Sequence, residues 1–166
     1  SRHLGLVLPD EVRDLKEKVN KLAAALETSL DMDALLTLAS EAGGLRWEEP
    51  KLPEPVSKDR RVRVAVARDE AFCFLYEDNL RLLEKLGADL VEFSPIHDQT
   101  LPEADGLLLP GGYPELYAQQ LSENISMREA VRRAVTGGMP CLAECGGFMY
   151  LHREMEDMQG NFWSMA

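Results

Sequence analysis

The hydrophobic pattern of the chain changes character twice. From Pro9 to about residue 43 apolar residues recur at helical spacing: Val12, Leu15, Val19, Leu22 and Leu26 step by three and four, which predicts one face of an amphipathic helix. Pro9 and Asp10 suit the entry to that run. A second, shorter helix is expected over about 31–42, with Asp31 as N-cap and a stop before Gly43-Gly44. The stripe is too short to require a coiled-coil seam, and a helix packed on a neighbouring domain is the simpler expectation. Residues 44–60, GLRWEEPKLPEPVSKDR, set three prolines among charges, which is linker chemistry.

From Arg61 onward the pattern alternates between two periods. Short β-rich runs at 62–67 (VRVAVA), 89–94, 105–112 and 140–144 predict strands. Helical patterns at 76–87, 127–138 and 147–155 lie between and after them. Strands and helices alternating at this length predict βαβ units, hence an α/β fold with a doubly wound parallel sheet. Ligands in such sheets bind beyond the carboxyl ends of the strands. Three unusual stretches fall on that edge: ARDEAF after the first strand, PGGYPE after the third and ECGG after the fourth.

The last of these carries the candidate chemistry. Cys145 is expected on a strand-to-helix turn, followed at once by Gly146 and Gly147. The positive end of a helix favours a thiolate, the nucleophilic form. The Gly146 N–H, one residue after the cysteine, is placed to donate to an oxyanion, as in nucleophile-elbow enzymes. A second donor has to come from another loop on the same edge, and the glycines of PGGYP supply one. One such donor is worth ~10²–10³ in rate. The cysteine alone is equally compatible with a small core residue; the two glycine loops on one edge favour the nucleophile. Cys141 is expected in the strand interior, and Cys73 is unassigned.

A cysteine nucleophile needs a base, and the chain contains three histidines, His3, His97 and His152. His152, seven residues past Cys145 on the same expected helix, stands roughly 10 Å further along its axis, beyond hydrogen-bond reach. His3 lies on the far side of the linker. His97 follows the second strand on the correct edge, but no motif supports it. The base is therefore expected outside these residues. The opening SRHLGLVLP, an apolar strand-like run, and the closing GNFWSMA, which resembles the start of another strand, both suggest a part of something larger.

Composition narrows the function classes. The 166 residues are 45% hydrophobic and 28% charged, with a net charge of −11. That balance is globular and disfavours nucleic acid or an anionic membrane surface as partner. No apolar run reaches membrane-spanning length and no leader pattern opens the chain. Three cysteines without a CxxC pair suggest neither a disulfide framework nor a zinc site. A reducing, cytoplasmic setting is expected.

The run from RVRVAVARDEAFCFLYEDN through LLLPGGYPELYAQQLSENISM, together with AECGGFMYL, resembles the cobyrinic acid a,c-diamide synthase family of the cobalamin pathway. The opening RHLGLVLPDE resembles the end of that family's ATP-dependent synthetase domain. The related cobyric acid synthases are similar in outline, with a different glycine loop expected in place of GGYPE. The resemblance implies a flavodoxin-like class I glutamine amidotransferase domain over 61–166, truncated at its C-terminus. Residues 1–43 would close the synthetase domain and 44–60 would link the two. It implies that Cys145 attacks the side-chain amide of glutamine and releases ammonia, while a separate domain, using ATP and Mg, activates the a and c carboxylates of cobyrinic acid. Cys145 matches the family's nucleophile, and Gly112 and Gly146 match its oxyanion hole. Tyr113 and Glu115 lie in the loop bordering the glutamine pocket, where Glu115 has the alternative of capping the following helix. The family's activating histidine falls beyond this chain, and its phosphate loop falls before it; no GK dipeptide occurs here. The chain alone is thus expected to be inactive, to bind no ATP and to self-associate through helices 9–43. Two other classes remain: a stand-alone cysteine hydrolase of the same architecture, and a non-catalytic binding module.

Overall fold

The computed structural model describes residues 7, 9–44, 46–48, 50, 51, 54 and 61–166. It divides into two units, Ser1–Pro50 and Lys51–Ala166. The strand-like opening with His3, and most of the 44–60 linker, lie outside the described residues.

In the first unit a 3₁₀ turn at Pro9–Glu11 precedes helices α1 (Leu15–Ser29) and α2 (Met32–Glu41). The helix expected from Pro9 is interrupted because Asp14 takes φ +57°, a left-handed conformation that restarts the chain at Leu15. Asp31 is the N-cap of α2, its carboxylate accepting from the Ala34 N–H at 2.9 Å. The stripe Leu15, Val19, Leu22 and Leu26 is exposed along its whole length.

The second unit is built on four parallel strands in the order β2-β1-β3-β4. They are β1 (Val62–Ala67), β2 (Ala88–Phe93), β3 (Gly106–Leu109) and β4 (Cys141–Ala143). Helix α3 (Glu77–Lys85) connects β1 to β2. Helices α4 (Ala118–Glu123) and α5 (Ile125–Thr136) connect β3 to β4. The strand order reverses beside β1, so this doubly wound sheet is of the flavodoxin-like kind. On one face, Ala65 and Ala67 of β1 and Leu107 and Leu109 of β3 pack under Leu121, Met127 and Val131 from α4 and α5. On the other face α3 packs against β2, and Leu142 on β4 stays 60% exposed.

Two sequence expectations change here. The strand foreseen over 105–112 pairs only as far as Leu109, which frees the glycines to form a loop. The helix foreseen over 147–155 is α6 (Gly146–Tyr150), five residues long. The chain then turns into a hairpin of β5 (Glu154–Glu156) and β6 (Phe162–Ser164), because Met155 alternates inward as a strand residue and is buried. The tail is held down: Met165 is fully buried, and its carbonyl accepts from Arg132 at 2.9 Å and from Arg128 at 3.3 Å.

The hairpin turn is organised by Asp157. Its carboxylate accepts from the Trp163 indole at 2.7 Å, the Gln159 and Asn161 backbone N–H groups at 2.8 and 2.9 Å, and the Asn161 side chain at 3.0 Å. The Trp163 bond first, then those from Asn161 and Gln159, hold its pKa far below the usual carboxylate range. A depressed folded-state pKa stabilises above the unfolded value, about 4, and that contribution is lost as pH falls further. Trp163 fluorescence, read in a Trp47→Phe background, should therefore report loosening of the hairpin only below about pH 4. Asp157→Ala should show the loosened signal already at neutral pH; an unchanged acid profile in that variant would show that the clamp does not hold the turn.

Candidate functional site

The loops after β1, β3 and β4 meet at the carboxyl edge of the sheet, where the sequence pattern placed its three unusual stretches. Cys145 sits between β4 and α6 with φ +46° and ψ −108°. A side-chain-bearing residue there carries strain of about 1–3 kcal/mol, so its surroundings have to hold it. The Glu144 N–H donates to the Leu109 carbonyl at 3.0 Å, the Gly147 N–H to Glu144 and Pro110 at 2.8 and 3.0 Å, and the Met149 N–H to Cys145 at 3.0 Å. The turn is thereby tied on both sides to the end of β3.

Glycine is required at this turn for space. A Cβ on Gly147 would come 2.1 Å from the Leu109 carbonyl oxygen, and one on Gly146 would come 2.8 Å from the Pro114 ring. One on Gly112 would come 2.0 Å from the Ala71 carbonyl oxygen. The backbone nitrogen of Gly112 lies 3.2 Å from where a Gly146 Cβ would stand, and a Gly111 Cβ would stand 3.5 Å from that of Cys145. Gly112 and Gly146 are thus brought together beside Cys145. Neither of their N–H groups donates to an acceptor among the described residues, which leaves two backbone donors available to a ligand.

The remaining sequence candidates divide. Tyr113 is buried, with its ring edge-on to Phe74 at 5.1 Å and its N–H donating to the Ala71 carbonyl at 3.0 Å. Glu115 is half-buried in the 3₁₀ turn Pro114–Leu116. Helix α4 follows at Ala118, and its N-cap residue Tyr117 makes no side-chain cap bond. Of the three thiols Cys145 is the exposed one, while Cys73 and Cys141 are half-buried. Burial pushes the Cys141 thiol up from its ordinary pKa.

Neither histidine in the described residues is hydrogen-bonded to Cys145. His97 Nε2 meets both Glu70 carboxylate oxygens, at 3.0 and 3.1 Å. The Glu70 pKa lies below its ordinary value, chiefly through a bond from its own backbone N–H, with His97 adding to the effect. His152 is not on the helix with Cys145: it lies in the turn after α6, with Nδ1 2.9 Å from the Phe148 carbonyl. Among the described residues no three His, Cys, Asp or Glu side chains cluster closely enough to hold a metal, and no helix is long and apolar enough to cross a membrane.

Two residues were not singled out from sequence. Asp69, after β1, accepts from the Ala71 and Phe72 N–H groups and from Ser94 and Ile96 across the edge. Asn124 caps α5 and donates to the carbonyls of Pro95, Ile96 and Asp98. A recognisable N-cap before the helical pattern was the available signal for Asn124. For Asp69 it was the ARDEAF stretch itself.

A parallel sheet ordered 2-1-3-4, with a cysteine turn at its carboxyl edge facing a glycine loop, has the architecture of a flavodoxin-like amidotransferase domain. The chain belongs to the CobB/CobQ-like glutamine amidotransferase family, whose domain matches residues 63–165. It is 42% identical over 166 residues to the cobyrinate a,c-diamide synthase of Caldanaerobacter subterraneus, covering 99% of this chain and 36% of that protein. It is 46% identical over 169 residues to the cobyrinate a,c-diamide synthase of Syntrophotalea carbinolica, covering 100% and 36%. It is 45% identical over 161 residues to the hydrogenobyrinate a,c-diamide synthase of Pseudomonas aeruginosa, covering 96% and 35%. The chain therefore spans little more than a third of the length of these relatives.

The strain at Cys145 is directly testable. Glycine enters positive φ without the penalty that a Cβ brings. Cys145→Gly should therefore be more stable than Cys145→Ala by about 1 kcal/mol in denaturant titrations. Equal stability, or a more stable alanine variant, would mean that the turn is not strained.

Proposed function

We propose that residues 61–166 form the front part of the glutaminase domain of a cobyrinate a,c-diamide synthase, with Cys145 as its nucleophile. The observation that carries this reading is Cys145 at φ +46° beside the N–H groups of Gly112 and Gly146, neither of them paired among the described residues. In this role Cys145 Sγ attacks the side-chain carbonyl carbon of glutamine, and the carbonyl oxygen becomes an oxyanion held by those two N–H groups. Collapse of the tetrahedral species breaks the C–N bond and releases ammonia. Water then hydrolyses the glutamyl thioester to glutamate and the free thiol. Tyr113 and Glu115 border the glutamine pocket, Tyr113 as a fixed wall on Phe74.

The whole protein would use this ammonia to amidate the a and c carboxylates of cobyrinic acid in the cytoplasm, at the expense of ATP with Mg. The phosphate loop that would hold ATP is expected upstream, since the sequence has no GK dipeptide. ATP and Mg would be held elsewhere, in the domain that residues 1–43 close and 44–60 link to this one. The base for Cys145 would likewise come from outside these residues, since the bonds of His97 and His152 run to Glu70 and the Phe148 carbonyl and neither reaches Cys145. The chain alone should therefore have negligible glutaminase activity and self-associate through the exposed α1 stripe.

The test is made in the full-length enzyme. Gly112→Ala keeps the amide but drives it away from Ala71, since its Cβ would come 2.0 Å from that carbonyl oxygen. It should lower glutamine-dependent turnover by at least ~10²-fold, and Cys145→Ala should abolish it. Turnover with added ammonia should persist in both, because free ammonia bypasses the thioester. Parallel loss of both activities in Cys145→Ala would place the cysteine outside glutamine hydrolysis.

A further inference from the structure

The N–H groups of Gly112 and Gly146 come from different loops, so their spacing depends on whatever registers one loop against the other. The segment between them is residues 69–74. The Ala71 carbonyl accepts from the Tyr113 N–H at 3.0 Å and backs directly onto Gly112. The Phe74 N–H donates to the Gly111 carbonyl at 3.0 Å. One residue along from Ala71, the Phe72 ring packs edge-on against Tyr150 with centroids 5.5 Å apart, and Tyr150 is the last residue of the helix that begins with Gly146. Both rings are fully buried. A single loop therefore braces the glycine loop through its backbone and the cysteine turn through an aromatic contact.

That loop is shaped by one carboxylate. Asp69 Oδ1 accepts from the Ala71 N–H at 2.9 Å and the Phe72 N–H at 3.1 Å. Its Oδ2 accepts from Ser94 Oγ at 2.8 Å and the Ile96 N–H at 3.0 Å. Four donors on one charged group fold the loop tightly and fasten it to the end of β2, and bonds to a charged acceptor are the stronger kind. Ile96 is in turn tied to α5, because its carbonyl accepts from Asn124 at 3.3 Å. Asp69 also acts on Tyr150 electrostatically. Burial raises the pKa of that hydroxyl above its ordinary value, the Asp69 charge pushes the same way, and Arg128 opposes them.

We propose that Asp69 is a positioning residue for oxyanion stabilisation: through Ala71 and Phe72 it sets the Gly112 N–H against the Gly146 N–H. The proposal rests on the reading of Cys145 given above, and extends it to a residue that touches neither the thiol nor the oxyanion. Removing two of the four acceptor contacts moves the donors without changing thiol exposure. Chemistry that passes through a tetrahedral oxyanion should suffer, and simple alkylation should not.

The two can be compared on the same sulfur in this chain. With p-nitrophenyl acetate, the Cys145 thiol loses its proton to solvent, forms an S–C bond through a tetrahedral oxyanion and expels p-nitrophenolate. With iodoacetamide it displaces iodide and no oxyanion forms. Each rate is taken as the difference between the protein and its Cys145→Ala counterpart. Asp69→Asn should lower acylation at least about tenfold, less than the ~10²–10³ of a deleted donor because the amide is displaced and not removed. Alkylation should stay within about twofold. Ser94→Ala, which removes one contact to Oδ2, should lower acylation alone by a smaller factor, and it decides the matter should Asp69→Asn fail to fold. Acylation and alkylation falling together, or neither falling, would overturn the role of Asp69. If the unmutated chain acylates no faster relative to alkylation than N-acetylcysteine does, the donors do not act on Cys145, and the underlying reading falls with the proposal.

Discussion

The contact between Gly147 and the Leu109 carbonyl is what the rest of the site depends on. With a Cβ position 2.1 Å from that oxygen, α6 lies against the end of β3 more closely than any side chain would permit. The close approach lets the Gly147 N–H reach Pro110 and Glu144, and those bonds hold Cys145 at a φ it would not otherwise adopt. The turn is strained at one residue because it is over-determined at its neighbours.

The carboxyl edge works as a set of interlocked loops. The glycine loop after β3 leans on Ala71 and meets Gly146; the loop after β1 is folded by Asp69; the loop after β2 is clasped from one side by Asp69 and from the other by Asn124. The hydrogen-bonded ties satisfy backbone groups that loops otherwise leave to water, and the Phe72–Tyr150 and Phe74–Tyr113 ring contacts add apolar ones. The apolar core beneath, from Ala65 to Val131, holds the strand ends in register so that the loops can meet at all. Helix α6, little more than one turn long, supplies N–H donors at close range and little macrodipole.

Much of this was legible in the sequence. The strand at 62–67 and the N-cap at Asp31 were recovered residue for residue, because period-two alternation and a side-chain cap are local signals. The elbow was legible from glycines after a cysteine at a strand end. What escaped was non-local or short. Helix α4 has six residues, too few for a period to declare itself. The first strand of the hairpin was absorbed into a helix read as far as residue 155 because GFMYL starts as one, whereas GNFWSMA was read as the start of a strand and contains β6. The pairing of Met155 with Trp163 depends on a turn that Asp157 organises from outside the strands. Asp69 was invisible as a residue because its partners lie up to 27 positions away, although its stretch was singled out.

The glycines at 112, 146 and 147 have a consequence for how such domains tolerate change. They bring no functional group, yet each stands where any larger residue meets backbone or a proline ring. Gly43 and Gly44 have open space around them and carry no such restriction. In a saturation library the deepest depletion outside Cys145 would fall on positions with no side chain to lose. An inventory of reactive groups would pass over the residues that most narrowly limit what the chain can become.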